Sequence, residues 1–257
     1  MIRTHVLPSG LVDQPTMGPL PLRGSPHGIG DRAPSLRSGQ ALRLLDLFCG
    51  AGGCSVGYAR AGFEVTGVDI RPQPRYPFPE RFIQADALEY VTAHGHEFDA
   101  IHASPPCQRY SRGSRQSATN DRHPDLISPT RAALMATERP YVIENVANAR
   151  PFLVAPFVLC GAMFPGLRTY RHRLFECSVF FLVPPHQRHT VRSPRTNAYR
   201  EGQFMTIYGH VSPVGKALEA MGITWSMTQY ETAQAIPPAY TELIGRSLLD
   251  AMTEGVA

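Results

Sequence analysis

The sequence has no apolar run near the roughly 18 residues that a membrane-spanning helix needs. No apolar signal-peptide core follows the first residue either. Cysteine is scarce: the five residues are odd in number and include no Cys-x-x-Cys pair, which favours neither a disulfide framework nor a zinc site. We therefore expect a protein that is not exported and that works in a reducing cytosol.

Lysine is nearly missing, because Lys216 stands alone among 25 basic residues and the others are arginines. The formal charge of +4 permits a polyanionic partner without requiring one. Arginine is well suited to bidentate phosphate contacts, but the codon usage of a GC-rich genome would explain its excess equally well.

The chain changes character near residue 41. Residues 1–40 are rich in Pro, Gly and Ser and have no apolar period, which predicts a disordered arm, or alternatively a start codon placed too far upstream. From Leu42 onward, buried-strand patterns such as "LRLLDLF", "FEVTGVDI", "FDAIHAS" and "PYVIENV" alternate with helical segments. This alternation predicts an α/β fold with a parallel, doubly wound, Rossmann-like sheet.

Ligands of such sheets bind at the carboxyl ends of the strands. Several reactive side chains fall at or just beyond predicted strand ends. A site is therefore expected where these strands end. The residues in question are Asp46, Asp69, Asp86, Cys107 and Glu144.

The first strand is followed by glycines at positions 50, 52 and 53, which would let the backbone approach a ligand at a helix N-terminus. The spacing F-x-G-x-G-G differs from the G-x-G-x-x-G of dinucleotide sites. Asp69, about 20 residues further on, could bind two ribose hydroxyls. A nucleoside without a pyrophosphate fits best, and S-adenosylmethionine is the common one.

Cys107 ends the segment "SPPCQ", in which two prolines fix the backbone. A single cysteine is more often a small buried hydrophobe. Here a long polar loop with four arginines follows, so the thiol is predicted to face solvent or substrate.

Glu144 ends the strand "PYVIENV" between apolar and uncharged neighbours. It could simply be an acid at the start of the next helix. In a partly apolar position, however, its pKa would be raised and the carboxyl could act as a proton donor.

The segment "RTYRHRLFECS" is predicted to be a strand that carries Arg171 and Arg173 on one face, because side chains alternate along a strand. A solvated sheet edge is the alternative. If both point inward, they could hold a substrate carbonyl oxygen or steady Glu144.

Taken together and in order, these segments resemble the DNA cytosine carbon-5 methyltransferase family. "DLFCGAGG", "PPCQ", "ENV" and "YRHRLF" are similar to its glycine, nucleophile, glutamate and arginine motifs, and "QAIPPAYTELIGRSLL" is similar to its C-terminal helix. The resemblance covers residues 42–177 and 227–250. It implies the class I S-adenosylmethionine-dependent methyltransferase fold with a small appended target-recognition lobe.

The implied reaction is covalent. Cys107 would add to carbon 6 of a cytosine flipped out of double-stranded DNA. Glu144 would protonate ring nitrogen 3, the arginines would brace the ring oxygen, and carbon 5 would take the methyl group. The implied site residues are, for catalysis, Cys107, Glu144, Arg171 and Arg173; for S-adenosylmethionine, Phe48, Gly50, Gly52, Gly53, Asp69, Asp86, Pro106 and Gln234; and for DNA, Arg109, Ser111, Arg112, Arg115, Arg188, Arg192 and Arg195.

The chain departs from the family pattern at three places. Thr169 replaces the glutamine that usually begins the arginine motif, and Ala233-Gln234 replaces Gly-Asn before the C-terminal helix. Only residues 178–225 remain for target recognition, which predicts a short or degenerate target sequence. That region contains His186 and His189, but no third ligand lies nearby in sequence, so we expect no metal site.

The predicted organisation is an arm over residues 1–40, a catalytic domain formed by residues 41–177 and 226–257, and a reduced recognition region over residues 178–225. We expect a monomer in the cytoplasm of a bacterial or phage-infected cell, with no membrane partner. Two alternatives stay open: a tRNA cytosine methyltransferase, and a non-catalytic DNA-binding homologue.

Overall fold

The computed structural model describes most of the chain beyond residue 40. The predicted arm, residues 1–40, lies outside the described part. Among the described helices, none has both the length and the apolar character needed to cross a membrane. The described residues are 41–110, 124–180, 182–194, 200–209 and 213–254.

A seven-stranded sheet forms the centre of the described part of the chain, in the order β3-β2-β1-β4-β5-β7-β6. The first five of these strands pair in parallel, whereas β7 is antiparallel to both β5 and β6. The strands are β1 Arg43–Leu47, β2 Glu64–Asp69, β3 Phe82–Gln84, β4 Ala100–Ala103, β5 Tyr141–Val146, β6 Phe157–Leu159 and β7 Arg173–Cys177.

Helices cover both faces of the sheet because successive residues of its buried strands point to opposite sides. Leu44 packs in the core beneath α1 and α6, and its neighbour Leu45 packs in the core beneath α2 and α3. The α/β fold is thus confirmed. The helices are α1 Gly53–Ala61, α2 Ala87–His94, α3 Ile127–Ala136, α4 Val214–Ala220, α5 Gln229–Gln234 and α6 Pro238–Glu254.

The helices α1 and α6 lie unusually close together. A side chain at Gly57 would collide with Thr241 and with the carbonyl of Pro238, and one at Gly245 would collide with Ala61. The Thr241 hydroxyl donates a hydrogen bond to the carbonyl of Cys54 at 2.9 Å. The C-terminal helix is therefore fastened to the helix that follows the first strand.

One sequence prediction about the strands is wrong. Arg171 was expected to share a strand face with Arg173, but β7 begins only at Arg173. Arg171 has a φ of 28°, in the left-handed region that few side chains adopt. Because the backbone turns at this residue, the alternation of a strand does not apply to the pair.

Part of the region after β7 has a small core of its own. Met205, Ile207 and Met221 are buried together with one face of α4. Ala51 of the glycine loop belongs to the same cluster. The small core therefore packs directly against the loop that follows β1.

Candidate active site

The loop after β1 joins the first two strand ends. Phe48 and Gly50 have φ values of 58° and 50°, so the chain turns sharply as it leaves the strand. The Gly50 amide donates to the Asp69 carboxylate at 3.1 Å, and the Arg71 amide donates to the other oxygen of that carboxylate at 2.9 Å. A Cβ at Gly50 would have no atom within 4 Å, so the backbone is open to a ligand here.

The other two glycines of the loop are needed for packing inside the protein. A Cβ at Gly52 would lie 2.5 Å from Cδ of Pro77, and one at Gly53 would lie 2.5 Å from the carbonyl oxygen of Ile236. Their predicted contact with a cofactor is untested. The structure supplies an independent reason why neither position can carry a side chain.

One further side chain, that of Trp225, contacts this loop. The Trp225 indole donates to the Ala51 carbonyl at 3.0 Å, a contact that sequence patterns did not suggest. Asp86 caps α2 by accepting hydrogen bonds from Leu88 and Glu89 through one oxygen. Gln234 and Pro106 are exposed. Their roles in binding the cofactor stay predictions.

Asp46 is a fully buried carboxyl near the carboxyl end of β1. Its Oδ2 accepts a hydrogen bond from the Ser55 hydroxyl, which in turn accepts one from the Tyr76 hydroxyl at 3.0 Å. Its Oδ1 is buried without a partner among the described residues. Burial raises the pKa of Asp46 to about 7, and the nearby Asp69 and Glu144 act in the same direction.

The pKa of Asp46 makes stability depend on pH. Between about pH 4 and about pH 7, the native carboxyl keeps a proton that the unfolded one, with a pKa near 3.9, has lost. Stability should therefore fall as pH rises through this window, by on the order of 4 kcal/mol at about 1.4 kcal/mol per pH unit. Asp46→Asn cannot titrate, so its free energy of unfolding should rise relative to wild type from pH 4.5 to 8. Urea unfolding at both values, without cofactor, measures this. An equal difference at the two pH values would contradict it.

Cys107 lies in the loop after β4, at the same edge of the sheet as Asp69 and Glu144. Its side chain is partly exposed. The buried Asn145 amide donates to the Pro105 carbonyl at 2.9 Å, so β5 holds the loop that carries the thiol. Cys107 is close enough to Arg171 for an electrostatic interaction. Asn145 was not among the predicted site residues, although it stands inside the segment "ENV".

Glu144 is buried on β5 and forms an ion pair with Arg173 on the neighbouring β7, with Oε1 and Nε 3.2 Å apart. Burial raises the pKa of the Glu144 carboxyl, although Arg173, a hydrogen bond from Ser104 and Arg171 oppose it. The structure thus agrees with the direction expected from the sequence. A carboxyl that retains its proton more readily is suited to donate one.

A chain of buried hydrogen bonds leads away from Glu144. The Ser104 hydroxyl forms a hydrogen bond with the Glu144 carboxyl, and its oxygen lies 3.0 Å from Nε2 of His102. Nδ1 of His102 lies 2.9 Å from the Tyr58 hydroxyl. Burial lowers the pKa of His102 to about 3, so the ring is neutral. If Nε2–H of His102 donates to the Ser104 oxygen, Nδ1 carries no proton and accepts a hydrogen bond from the Tyr58 hydroxyl. The Ser104 hydroxyl is then left to donate to Glu144.

No motif pointed to this chain of hydrogen bonds. Its members come from α1, from β4 and the residue that follows it, and from β5, and Ser104 and Glu144 meet because β4 and β5 are neighbours in the sheet. The one available signal was the single histidine in the apolar strand "FDAIHAS". A buried histidine needs partners, and these partners extend to the predicted proton donor.

Ser104→Ala should raise the pKa of Glu144 further, because it removes a hydrogen bond that favours the charged carboxylate. If protonated Glu144 is required, the alkaline limb of the kcat/KM profile should move to higher pH. Ser104→Thr keeps the hydroxyl and should restore the limb. A Ser104→Ala profile that differs only in height would exclude this positioning role.

The guanidinium of Arg171 is occupied with backbone carbonyls. Nε donates to Ala235 at 2.7 Å, and the terminal nitrogens donate to Ile207 and Ala233 at 2.9 and 2.7 Å. These bonds fasten the start of β7 to the small core and to the segment before α6. Arg173, not Arg171, contacts Glu144, and the catalytic role of Arg171 stays a prediction.

The candidate DNA-binding residues fall into two groups. Arg188 and Arg192 are exposed on an irregular segment, and Arg109 is half-buried two residues after Cys107. The others lie outside the described residues. These are Ser111, Arg112, Arg115 and Arg195.

Comparison of the sequence with protein families gives a match over residues 42–151, to the family described as C-5 cytosine-specific DNA methylase. Type II methyltransferase M.FnuDI of Fusobacterium nucleatum is 32% identical over 85 residues, which are 31% of this chain and 25% of that protein. Type II methyltransferase M1.HphI of Haemophilus parahaemolyticus is 30% identical over 123 residues, 42% of this chain and 33% of that one. The matches thus span a quarter to a third of these relatives.

Solved structures with the same fold cover more of the chain. The Entamoeba histolytica methyltransferase EhMeth has a TM-score of 0.56 at 12% identity and covers 83% of this chain and 99% of its own. The S. pombe Dnmt2 methyltransferase has a TM-score of 0.53 at 14% identity, with the same coverage. At these identities the likeness establishes the fold.

Proposed function

We propose that this chain, whose residues 42–151 match the C-5 cytosine-specific DNA methylase family, methylates carbon 5 of cytosine in double-stranded DNA. The observation that carries the proposal is the buried Glu144–Arg173 pair on the strand next to the Cys107 loop. A nucleophile, a proton donor and a cation then meet at one edge of the sheet. The bacterial type II relatives favour work in the cytoplasm of a bacterial or phage-infected cell.

The residues around the glycine loop fit S-adenosylmethionine. The open backbone at Gly50 leaves room for a ligand, and the carboxyls of Asp69 and Asp86 stand at neighbouring strand ends to receive hydroxyl and amino groups. We assign the ribose to Asp69 and the adenine amino group to Asp86, and we propose that Phe48 and Gln234 also contact the cofactor. When bound, this cofactor supplies a methyl group on a positively charged sulfur.

The remaining chemistry belongs to the protein and the base. The Cys107 sulfur adds to carbon 6, and the electrons of the 5,6 double bond make carbon 5 nucleophilic while Glu144 protonates nitrogen 3. After methylation, carbon 5 loses its proton to water, the 5,6 double bond re-forms as the carbon–sulfur bond breaks and releases the Cys107 thiolate, and nitrogen 3 returns its proton to Glu144. Arg173 holds Glu144 and is placed to approach the ring oxygen.

Domain roles follow from the same proposal. We assign catalysis and cofactor binding to residues 41–177 and 226–257, and target recognition to residues 178–225, within a protein that acts as a monomer. The small core around Met205 supports a compact recognition region, and the exposed Arg188 and Arg192 support contact with DNA phosphates.

Nucleoside mass spectrometry tests the function directly. DNA and RNA from bacteria that lack cytosine methylation are digested after expression of the wild type or of Cys107→Ser. The proposal expects carbon-5 methylcytosine in DNA from the wild type alone. Methylcytosine confined to RNA would show that the substrate is RNA. Its absence from both DNA and RNA would favour a non-catalytic DNA-binding protein.

A further inference from the structure

Four side chains with metal-binding atoms converge where β6 ends and β7 begins. These two strands form the edge of the sheet opposite β2 and β3. The ligand atoms of the four side chains all lie within 4.8 Å of one another. Cys160 is buried, His172 is half-buried, and His186 and His189 are exposed. The four residues, called the Cys-His cluster below, are Cys160, His172, His186 and His189.

The strand pairing explains one half of the Cys-His cluster. In the antiparallel β6–β7 pair, Leu159 is opposite Arg173. The next residues outward, Cys160 and His172, therefore face each other across the end of the pair. Two strands thus fix two ligands at a distance set by the backbone.

The other half comes from the irregular segment of residues 182–194. His186 and His189 are three residues apart in it, and the His189 ring stacks on Tyr170 with centroids 3.6 Å apart. The Tyr170 hydroxyl donates to the carbonyl of Val191 and accepts from its amide. The segment is therefore held so that both imidazoles point toward the strand ends.

The distances inside the Cys-His cluster suit a small tetrahedral ion. The Cys160 sulfur lies 3.3 Å from Nε2 of His189, and the Nε2 atoms of His172 and His186 are 3.0 Å apart. With zinc–sulfur bonds of about 2.3 Å and zinc–nitrogen bonds of about 2.0 Å, ligands at tetrahedral corners would be roughly 3.3 to 3.6 Å apart. A small outward movement of the imidazoles would make room for the ion.

We propose that the Cys-His cluster is a structural zinc site. One thiolate and three imidazoles complete a tetrahedron, which leaves no open position for substrate, as in structural rather than catalytic zinc centres. Zinc would fasten residues 182–194 to the end of the β6–β7 pair. The expectation of no metal site rested on the lack of a third ligand near His186 and His189, and the fold brings two more to them.

The proposed ion would organise two functional segments at once. His172 stands between Arg171, which holds the segment before α6, and Arg173, which pairs with Glu144. The segment 182–194 carries the exposed Arg188 and Arg192. Zinc would thus fix the position of surface arginines relative to β7 without touching the reacting atoms.

Metal analysis of the full chain, purified without a histidine tag, tests the proposal. Wild type should retain about one zinc ion per chain after dialysis, and His186→Ala/His189→Ala should retain essentially none. The control His94→Ala/His96→Ala removes two exposed histidines elsewhere and should keep the ion. Equal zinc in the two double variants, or a wild type that neither retains nor takes up zinc, would overturn the proposal.

Cobalt provides a readout of the ligands themselves. Chelator-treated protein given Co²⁺ should develop the visible bands of a tetrahedral ion and a thiolate charge-transfer band in the near ultraviolet. Cys160→Ser should lose the charge-transfer band. Bands typical of six oxygen and nitrogen ligands would contradict a Cys-His₃ site.

Proteolysis tests what the ion does. Removing zinc should accelerate tryptic cleavage at Arg188 and Arg192 by on the order of tenfold, because segment 182–194 would open locally more often. Added Zn²⁺ should restore protection in wild type but not in His186→Ala/His189→Ala. Cleavage that is insensitive to zinc would contradict the structural role.

Discussion

The variant Cys107→Ser is expected to form no covalent complex with DNA that contains 5-fluorocytosine, whereas the wild type should be trapped on it in the presence of S-adenosylmethionine. The thiol adds to carbon 6, and after methyl transfer the fluorine on carbon 5 cannot leave as a proton does. The adduct therefore persists. A band that survives denaturing electrophoresis, with the matching mass, measures it.

A second cysteine variant makes the trapping result specific. Cys177, at the end of β7, is another partly exposed cysteine, and Cys177→Ser should still be trapped. Cys107→Ser should bind DNA almost as tightly as wild type, because a serine preserves nearly all of the contact area. A trapped complex with Cys107→Ser would assign the nucleophile elsewhere.

Glu144→Gln is expected to lower the single-turnover methylation rate by about 10² to 10⁴-fold, the usual contribution of a positioned acid or base. Glutamine keeps the shape and a hydrogen bond but cannot deliver a proton to nitrogen 3. The dissociation constant for S-adenosylmethionine should change little, since the carboxyl acts mainly in the transition state. Rapid-quench kinetics and calorimetry measure the two quantities.

The fold of Glu144→Gln must be checked separately, because the change leaves the Arg173 guanidinium without its buried ion-pair partner. Thermal unfolding serves this purpose, and a folded variant that binds cofactor normally isolates the chemical step. Unchanged turnover in such a variant would remove Glu144 from the mechanism.

The parts of the site that lie at the ends of parallel strands could be predicted from the sequence. Asp69 and Glu144 each follow an apolar run, and the pairing of β2 with β1 and of β4 with β5 brings such ends to one edge. Local pattern was enough there because a parallel sheet has only one carboxyl edge. A strand was predicted in the segment that contains β7, but its antiparallel pairing was not, and β6 was not predicted at all.

Other features depend on contacts between distant residues. Arg171 looked like a strand residue by alternation, yet its guanidinium meets carbonyls of Ile207 and of residues 233–235, which no local rule indicates. Likewise, Cys160 and His172 become neighbours only through strand register. The motifs could therefore be recognised from the sequence alone, whereas a turn or a long-range strand pairing decides which of their side chains meet.

The close packing of α6 against α1 affects how the chain folds while it is being synthesised. The surface of α1 around Gly57 is completed only by residues near Thr241, which leave the ribosome more than 180 positions later. Until then the nascent chain exposes the apolar side of its first βα unit, and folding must wait for a contact of very large sequence separation. Translation speed and chaperone supply, rather than the intrinsic strength of the core, are therefore expected to limit the yield of native protein.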